Sequence, residues 1–487
     1  MSIDAAKLRD LADAILDKHK VPGAALSVIK KGEVVFRHLY GVTSLDSKQP
    51  MTEHAMFDIG SISKTFNAAT MALLVDEGQL DWDDYVIDRL PGWRLIDPTV
   101  TPHAQLRDLV GQSLGLGEDN ITNYFSHFTR QQIIDQIRYL PLRVPFRSEC
   151  TYQSYGPVTA GAVVERLSGQ SWEDFVEQRI ARTLGFSDTF ASYFRLRDTS
   201  SACDPHFVQE DGKCVTIPHR NFDNLAPAGS MTSSLRDLER WFTLFAQKGE
   251  LDGKRFLRAE TVEQMLRPRT AVQPDGIHPQ RYLSRFEASF VTYGLGFYAH
   301  DFGGRRINEH TGALEGFFVL GCAIPSENAA IVVLTNQHVC PAVHTLRYLL
   351  LAAALDLPQQ DWEARYEAAA KASKDAKVQS GEPYFWRPTF RNPKLAPALP
   401  PDSLVGTYEH PGFGRVTVSA ESKALSIDLF GNDCRLEHWH GDLYGAVPKD
   451  QVMRSLYDRT YVNFAGGSGG PRPTMYIPAI GEFRSVA

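Results

Sequence analysis

Cysteine is scarce. The chain has six in 487 residues, and none stands in a Cys-x-x-Cys pair, so neither a zinc ribbon nor a thioredoxin-type site is expected. Cys203 and Cys214 are close enough in sequence to bridge a loop, but free thiols are the expectation. Basic excess is missing too. The 51 Lys and Arg against 58 Asp and Glu give a formal net charge of −7, the wrong sign for a nucleic-acid binder. No run of five like charges occurs, which argues against an acidic or basic tail. The longest apolar run, residues 348–355, falls far short of the roughly 20 residues a membrane span needs. The first twenty residues carry charges throughout, as an amphipathic helix does and a signal peptide does not. A cytoplasmic protein with no membrane or nucleic-acid partner is expected. Internal repeats are absent, and the one low-complexity patch, residues 466–470, reads as a hairpin loop.

What is present is a globular composition, 43% hydrophobic and 22% charged, at a length that suggests two or three domains. After the first helix, residues 24–42 read as strand, Lys-Lys-Gly turn and strand. Residues 61–79 turn helical, with no internal proline. Helical stretches and polar loops alternate over 100–250, with helices near 156–167 and 172–184 and a third after Ser233-Ser234. Four short apolar runs follow, beginning at Tyr293, Gly304, Gly316 and Ala329, and a helix near 342–355. Strands at both ends of this region with helices between them suggest one sheet completed by the termini, with a helical layer beside it. Residues 358–400 read as a charged helix and then a linker rich in proline and aromatics. Tyr384, Phe385, Trp386 and Phe390 favour a docked linker over a free tether. From 401 to 487 short β-runs with Gly and Asn turns suggest a small antiparallel sheet or barrel.

The chemistry centres on Ser61-Ile62-Ser63-Lys64. A Ser-x-x-Lys pair is expected about twice by chance in a chain this long, and it occurs twice. The other copy, Ser27 to Lys30, falls mid-strand, where residues three apart point to opposite faces. Ser61 stands where a helix begins, which puts Ser61 and Lys64 on one face. Free backbone N–H groups and the helix dipole there favour a developing oxyanion. A partly desolvated lysine loses proton affinity and can act as a base. Four residues alone read equally well as a serine cap followed by a surface lysine.

More than four residues are involved. The segment from Phe57 to Phe66, Phe57-Asp58-Ile59-Gly60-Ser61-Ile62-Ser63-Lys64-Thr65-Phe66, resembles the nucleophile segment of the serine β-lactamase and penicillin-binding-protein superfamily, in its class C β-lactamase, DD-peptidase and esterase branch. Phe146-Arg147-Ser148 through Tyr152-Gln153-Ser154 is similar to that family's tyrosine segment. Leu184-Gly185-Phe186 and Pro227-Ala228-Gly229-Ser230 match further stretches, and His310-Thr311-Gly312 is similar to its third box, in the family's order. The resemblance implies an α+β fold, β-lactamase/transpeptidase-like, over 1–357. It also implies a lipocalin-like all-β barrel over 401–487, entered at Leu404-Val405-Gly406-Thr407-Tyr408, with 358–400 between them.

The roles implied are Ser61 as nucleophile, with Lys64 and Tyr152 as the pair that takes its proton and returns it. The N–H groups of Ser61 and Ala313 would form the oxyanion hole. Thr311 and Gly312 would lie on a strand edge that meets the substrate backbone. His310 stands where many relatives carry Lys and is expected to give a pH dependence near the imidazole reference of about 6.5. The tyrosine box usually ends in Asn and here ends in Ser154, which shortens the arm facing the acyl group. Gln112-Ser113-Leu114-Gly115-Leu116 stands where many relatives have His-x-Ser-Gly-Leu. A serine hydrolase of peptides or amides, D-residues included, or of esters is expected, with no metal or organic cofactor and a small-molecule or short-peptide substrate. The alternatives are an acyl-transferring or macrocyclising enzyme using the same acyl-enzyme and, against the intact triad of Ser61, Lys64 and Tyr152, a non-catalytic scaffold. The barrel is expected either to shape the site or to shape a homo-oligomer. His438 and His440 could pair on a metal, but a surface strand explains them better.

Overall fold

The computed structural model describes residues 4–117, 122, 124, 126–274, 284–380, 391–421, 424–456, 459–466, 473–478 and 480–486. The linker aromatics at 384–390 and most of the glycine patch at 466–470 lie outside these residues.

An eight-stranded antiparallel sheet organises the first part of the chain. Helix α1 (Ala5–Lys18) leads into β1 (Gly23–Lys30) and β2 (Glu33–Gly41). The other six strands come from the far end of this region: β3 (Thr270–Ala271), β4 (Val291–Tyr293), β5 (Tyr298–Phe302), β6 (Arg305–Leu314), β7 (Phe317–Ile324) and β8 (Ala329–Thr335). The order is β2-β1-β8-β7-β6-β5-β4-β3, so the termini do complete one sheet through the β1–β8 pairing. Strand β8 shows why its sequence is apolar throughout. Ala329, Ile331 and Val333 face one core, while Ala330, Val332 and Leu334 face another. A central strand covered on both sides has no polar face to alternate with. Helix α1 and a later helix over Ala342–Ala354 cover the first face. The helix Leu235–Ala246 covers the second, capped as expected by Ser234, whose side chain accepts from the Asp237 N–H. It comes so close that a Cβ on Gly321 would lie 1.8 Å from the Phe242 ring.

Helix α2 (Ser63–Asp76) runs through the middle of the helical layer and is buried for nearly its whole length. Polar side chains lock it in place. Asn67 donates to Pro157 O at 2.9 Å and accepts from the Trp172 indole at 2.9 Å. Thr65 accepts from the Trp241 indole at 2.9 Å, and Phe66 stacks on Trp241 with centroids 3.9 Å apart. The helix expected near 156–167 spans Tyr155–Ser168. The one expected over 172–184 is helical throughout but takes π geometry over Val176–Ala181. The apolar run beginning at Tyr293 is not a single strand. Gly296, at φ +83°, turns the chain between β4 and β5. Its missing side chain lets the turn rest on α2, since a Cβ would lie 2.8 Å from Lys64 O.

The C-terminal part is a closed barrel of eight antiparallel strands over 406–486. It rests on the helical layer. Phe128 packs on Phe413 and Phe430, His410 meets the Tyr139 ring, and a Cβ on Gly412 would lie 2.2 Å from that ring. Polar contacts add to this. The His338 Nε2 meets Ser455 Oγ at 2.9 Å, and Arg220 bridges Glu315 and the barrel's Asp450. All six cysteines are free, Cys203 and Cys214 among them. His438 bonds Gly441 O at 2.9 Å. Among the described residues no helix is long and apolar enough to cross a membrane.

Candidate active site

Ser61 does not lie inside α2. It belongs to a 3₁₀ turn, Gly60–Ile62, that feeds into the helix. The spacing to Lys64 still works, because three residues close one 3₁₀ turn. Lys64 Nζ donates to Ser61 Oγ at 3.1 Å and to Ala228 O at 2.8 Å, and all three groups are buried. The Ala228 carbonyl was not singled out from the sequence, although its segment was. It gives Lys64 Nζ a second acceptor. The surface-lysine reading thus fails at Lys64. It holds for Lys30, which turns outward to Asp356 at 2.6 Å while Ser27 points into the core.

Two glycines bring the serine turn onto β6. Gly60 sits at φ +49°, in the left-handed region that side chains disfavour. A Cβ there would lie 2.9 Å from both Ala313 N and Ala313 O. A Cβ on Gly312 would lie 1.8 Å from Ile59 O. The backbones of 59–60 and 312–313 are therefore in direct contact. Strand β5 pairs with β6 only as far as Glu309. Among the described residues, 311–314 pair only with β7, and no strand pairs with their other edge, the geometry an added extended chain uses. Thr311 and Gly312 lie on that edge.

Tyr152 is buried with its ring 4.8 Å from Lys64 Nζ. An aromatic cage holds it. Tyr298 stacks on it at 6.0 Å, Tyr293 meets it edge-on at 6.2 Å, and the His310 ring lies at 6.0 Å. Neither Tyr293 nor Tyr298 was singled out from the sequence; an aromatic on each side of a Gly-Leu-Gly turn was the available signal. Alternation along β6 separates two neighbours. His310 faces the cage, while Glu309 points into the opposite core between Arg285 at 2.9 Å and Arg347 at 3.0 Å. Those two cations hold Glu309 ionised, well below the usual carboxylate range. Ser154 is the residue before helix Tyr155–Ser168 and is buried. The structure brings together Ser61, Lys64, Tyr152, His310, Thr311, Gly312 and Ala313. Ser154 follows Tyr152 by two residues on the same segment.

The sequence profile of the beta-lactamase family matches residues 8–356. The chain belongs to the beta-lactamase family. It is therefore a serine hydrolase, of a family acting on amides and esters. Residues 391–480 match a domain of unknown function, DUF3471. Among curated relatives, an unguisins hydrolase of Aspergillus campestris is 23% identical over 84% of this chain and 77% of its own length. Among solved structures, the octameric penicillin-binding protein homologue of Pyrococcus abyssi superposes with a TM-score of 0.62 at 18% identity, over 99% of this chain and 100% of its own. SurE with D-Leu superposes with a TM-score of 0.55 at 21% identity, over 99% of each chain. At these identities the two structures share a fold with this beta-lactamase family member, from the sheet through the barrel.

Proposed function

We propose that this beta-lactamase family member hydrolyses peptides or amides, D-residue-containing ones included, and esters, through an acyl-enzyme on Ser61. The observation that carries the reading is the buried Lys64 side chain, whose Nζ lies 3.1 Å from Ser61 Oγ and 2.8 Å from Ala228 O. Ser61 Oγ attacks the substrate carbonyl carbon, and its proton passes to the Lys64–Tyr152 pair. The negative charge that develops on the carbonyl oxygen meets the N–H groups of Ser61 and Ala313. The C–N or C–O bond then breaks, and the pair returns the proton to the leaving amine or alkoxide. Water repeats the sequence on the acyl-enzyme and frees Ser61. The open edge of 311–314 suits an extended peptide. The relatives support the substrate class, one being a hydrolase of unguisins and another a protein solved with D-Leu.

The test is intact-mass spectrometry with a fluorophosphonate, followed by a panel of D- and L-peptides, esters and thioesters. Wild type is expected to gain one adduct and Ser61→Ala none, with turnover lost by several orders of magnitude. Equal labelling of both proteins overturns the assignment.

A further inference from the structure

Tyr152 stands on a stretch of chain with no ladder of its own. Residues 151–153 belong to no helix or strand, and the helix Tyr155–Ser168 begins only after them. All three residues are buried. Buried main chain outside regular structure must find its hydrogen-bond partners elsewhere. On both sides of Tyr152 it finds them at one residue, Gln112.

The Gln112 carbonyl accepts from the Thr151 N–H at 2.8 Å. Its side-chain amide takes both main-chain groups of Gln153. Nε2 donates to the carbonyl at 3.0 Å, and Oε1 accepts from the N–H at 3.0 Å. Two bonds exchanged with one residue is the pattern of a hydrogen-bonded pair in an antiparallel sheet, here with a side chain in place of the second strand. Gln112 has no exposed surface and lies at φ +57°. That left-handed conformation is strained for a residue with a side chain, and glycine is its usual occupant. A glutamine kept there, with its amide on the neighbouring main chain, does what a glycine cannot.

Gln112 is itself well anchored. It follows the helix Leu106–Val110 closely. Asp108 of that helix accepts from Ser113 Oγ at 2.8 Å and from Arg147 Nε at 2.9 Å. The Arg147 N–H donates to Ser113 O at 2.9 Å. A Cβ on Gly156 would lie 2.3 Å from Leu109 O, so the two backbones also touch beyond Tyr152. The helix and the turn after it thus grip the tyrosine segment at Arg147, Thr151, Gln153 and Gly156.

We propose that Gln112 is a positioning residue for Tyr152: it clamps the main chain on both sides of that tyrosine and so sets where the ring stands, 4.8 Å from Lys64 Nζ. The catalytic meaning rests on the acyl-enzyme reading, in which Lys64 and Tyr152 share the serine proton; the placement of the ring does not. The rings of Tyr293, Tyr298 and His310 confine Tyr152, but the chain it hangs from is held by Gln112. A misplacement of about 1 Å is enough to cost on the order of 100-fold in rate.

The experiment is a double-variant cycle in the full-length chain: wild type, Gln112→Gly, Tyr152→Phe and both together. Glycine suits the left-handed backbone, keeps the carbonyl that Thr151 uses and removes only the side-chain clamp. Both kcat and KM are measured on a p-nitrophenyl ester. Where turnover is too slow, the rate of Ser61 labelling by a fluorophosphonate is followed by mass. Gln112→Gly should lower kcat on the order of 10- to 100-fold with KM nearly unchanged. In the Tyr152→Phe background the same change should matter by less than about 2-fold, because its effect runs through the tyrosine. A merely structural role would lose the same factor in both backgrounds. A second readout needs no activity: ¹⁹F spectra of protein carrying fluorotyrosine, with the Tyr152 signal assigned by Tyr152→Phe. Gln112→Gly should move or broaden that signal. Gln112→Asn keeps an amide and tolerates a positive φ, but its arm is too short for Gln153. It should behave as the glycine variant does, and it takes that variant's place if Gln112→Gly does not fold. Equal losses in the two backgrounds, an unchanged kcat, or a Tyr152 signal that stays where it was overturns the proposal. If wild type fails to label, or Tyr152→Phe labels and turns over at the wild-type rate, the acyl-enzyme reading falls instead, and the ¹⁹F signal decides the placement alone.

Discussion

At the scale of single residues, the site is a set of side chains with no freedom left. Lys64 is held between Ser61 Oγ and Ala228 O, and Tyr152 is caged by two tyrosines and a histidine. On the proposed mechanism Lys64 and Tyr152 act as one proton-transfer unit, and the losses from removing members of a unit do not add. Lys64→Ala and Tyr152→Phe are each expected to lower kcat by several orders of magnitude, and the double variant by little more than the worse single. A double-mutant cycle in kcat on one ester measures this; losses that add fully in log kcat would show two independent groups. Ser154 sets the opposite expectation. By the family resemblance its single hydroxyl takes the place of an amide, which has both a donor and an acceptor. A site without a polar clamp selects by shape, which is worth only about 1–3 kcal/mol per methylene-sized difference. Ser154→Asn should therefore raise kcat/KM for nitrocefin and lower it for bulkier peptide substrates. Efficient turnover of β-lactams by wild type, unmoved by the substitution, would sink this idea.

At the scale of elements, the serine turn and β6 are matched through two missing side chains. Gly312 is in the middle of a strand, where glycine ordinarily costs stability and contributes nothing to packing. Its use here is the approach of Ile59 O, which would lie 1.8 Å from a Cβ. Both partners are backbone, so neither can rotate away. Gly312→Ala should push the 59–61 turn off the strand, separate the Ser61 and Ala313 amides, and lower kcat on the order of 100-fold or more. KM should change little and the fold should survive. Wild-type kcat in that variant would mean the two amides do not share an oxyanion. This contact was only half legible beforehand. Strand β8, helix α2 and the order of the motifs could be read because each follows a local period or a local pattern. The Ala228 carbonyl and the Tyr293–His310 bond could not, because each joins segments far apart in sequence. The turn at Gly296 was hidden for another reason: an apolar run with two glycines reads as a strand, and only its contact with α2 shows that it is a bend.

At the scale of the whole molecule, the barrel and the sheet meet at a charge. Glu315 follows β6 by one residue and is buried. Arg220 lies 2.9 Å from its carboxylate and also holds Asp450 of the barrel. Burial dominates at Glu315, Asp450 adds to it and Arg220 opposes it, so the carboxyl is pushed up to about 8. An unfolded glutamate titrates near 4.3. Between those values the folded chain binds a proton that the unfolded chain has released, so stability falls as pH rises through this interval. The contribution is fully present below about 4.5 and lost by about 8. Glu315→Gln removes it while keeping the shape, and the glutamine needs no proton to stay neutral. The difference in stability, variant minus wild type, should therefore grow from near zero at pH 4.5 to a few kcal/mol, on the order expected for a shift of this kind, at pH 8. Thermal or urea unfolding of the two full-length proteins across that range gives the difference directly, and common titrations elsewhere cancel. The change should fall where Arg220 joins the two parts, so limited proteolysis at pH 8 should cut wild type between sheet and barrel faster than the variant. Parallel stability curves, with equal cleavage, would mean that Glu315 is already ionised at neutral pH and that Arg220 outweighs its burial.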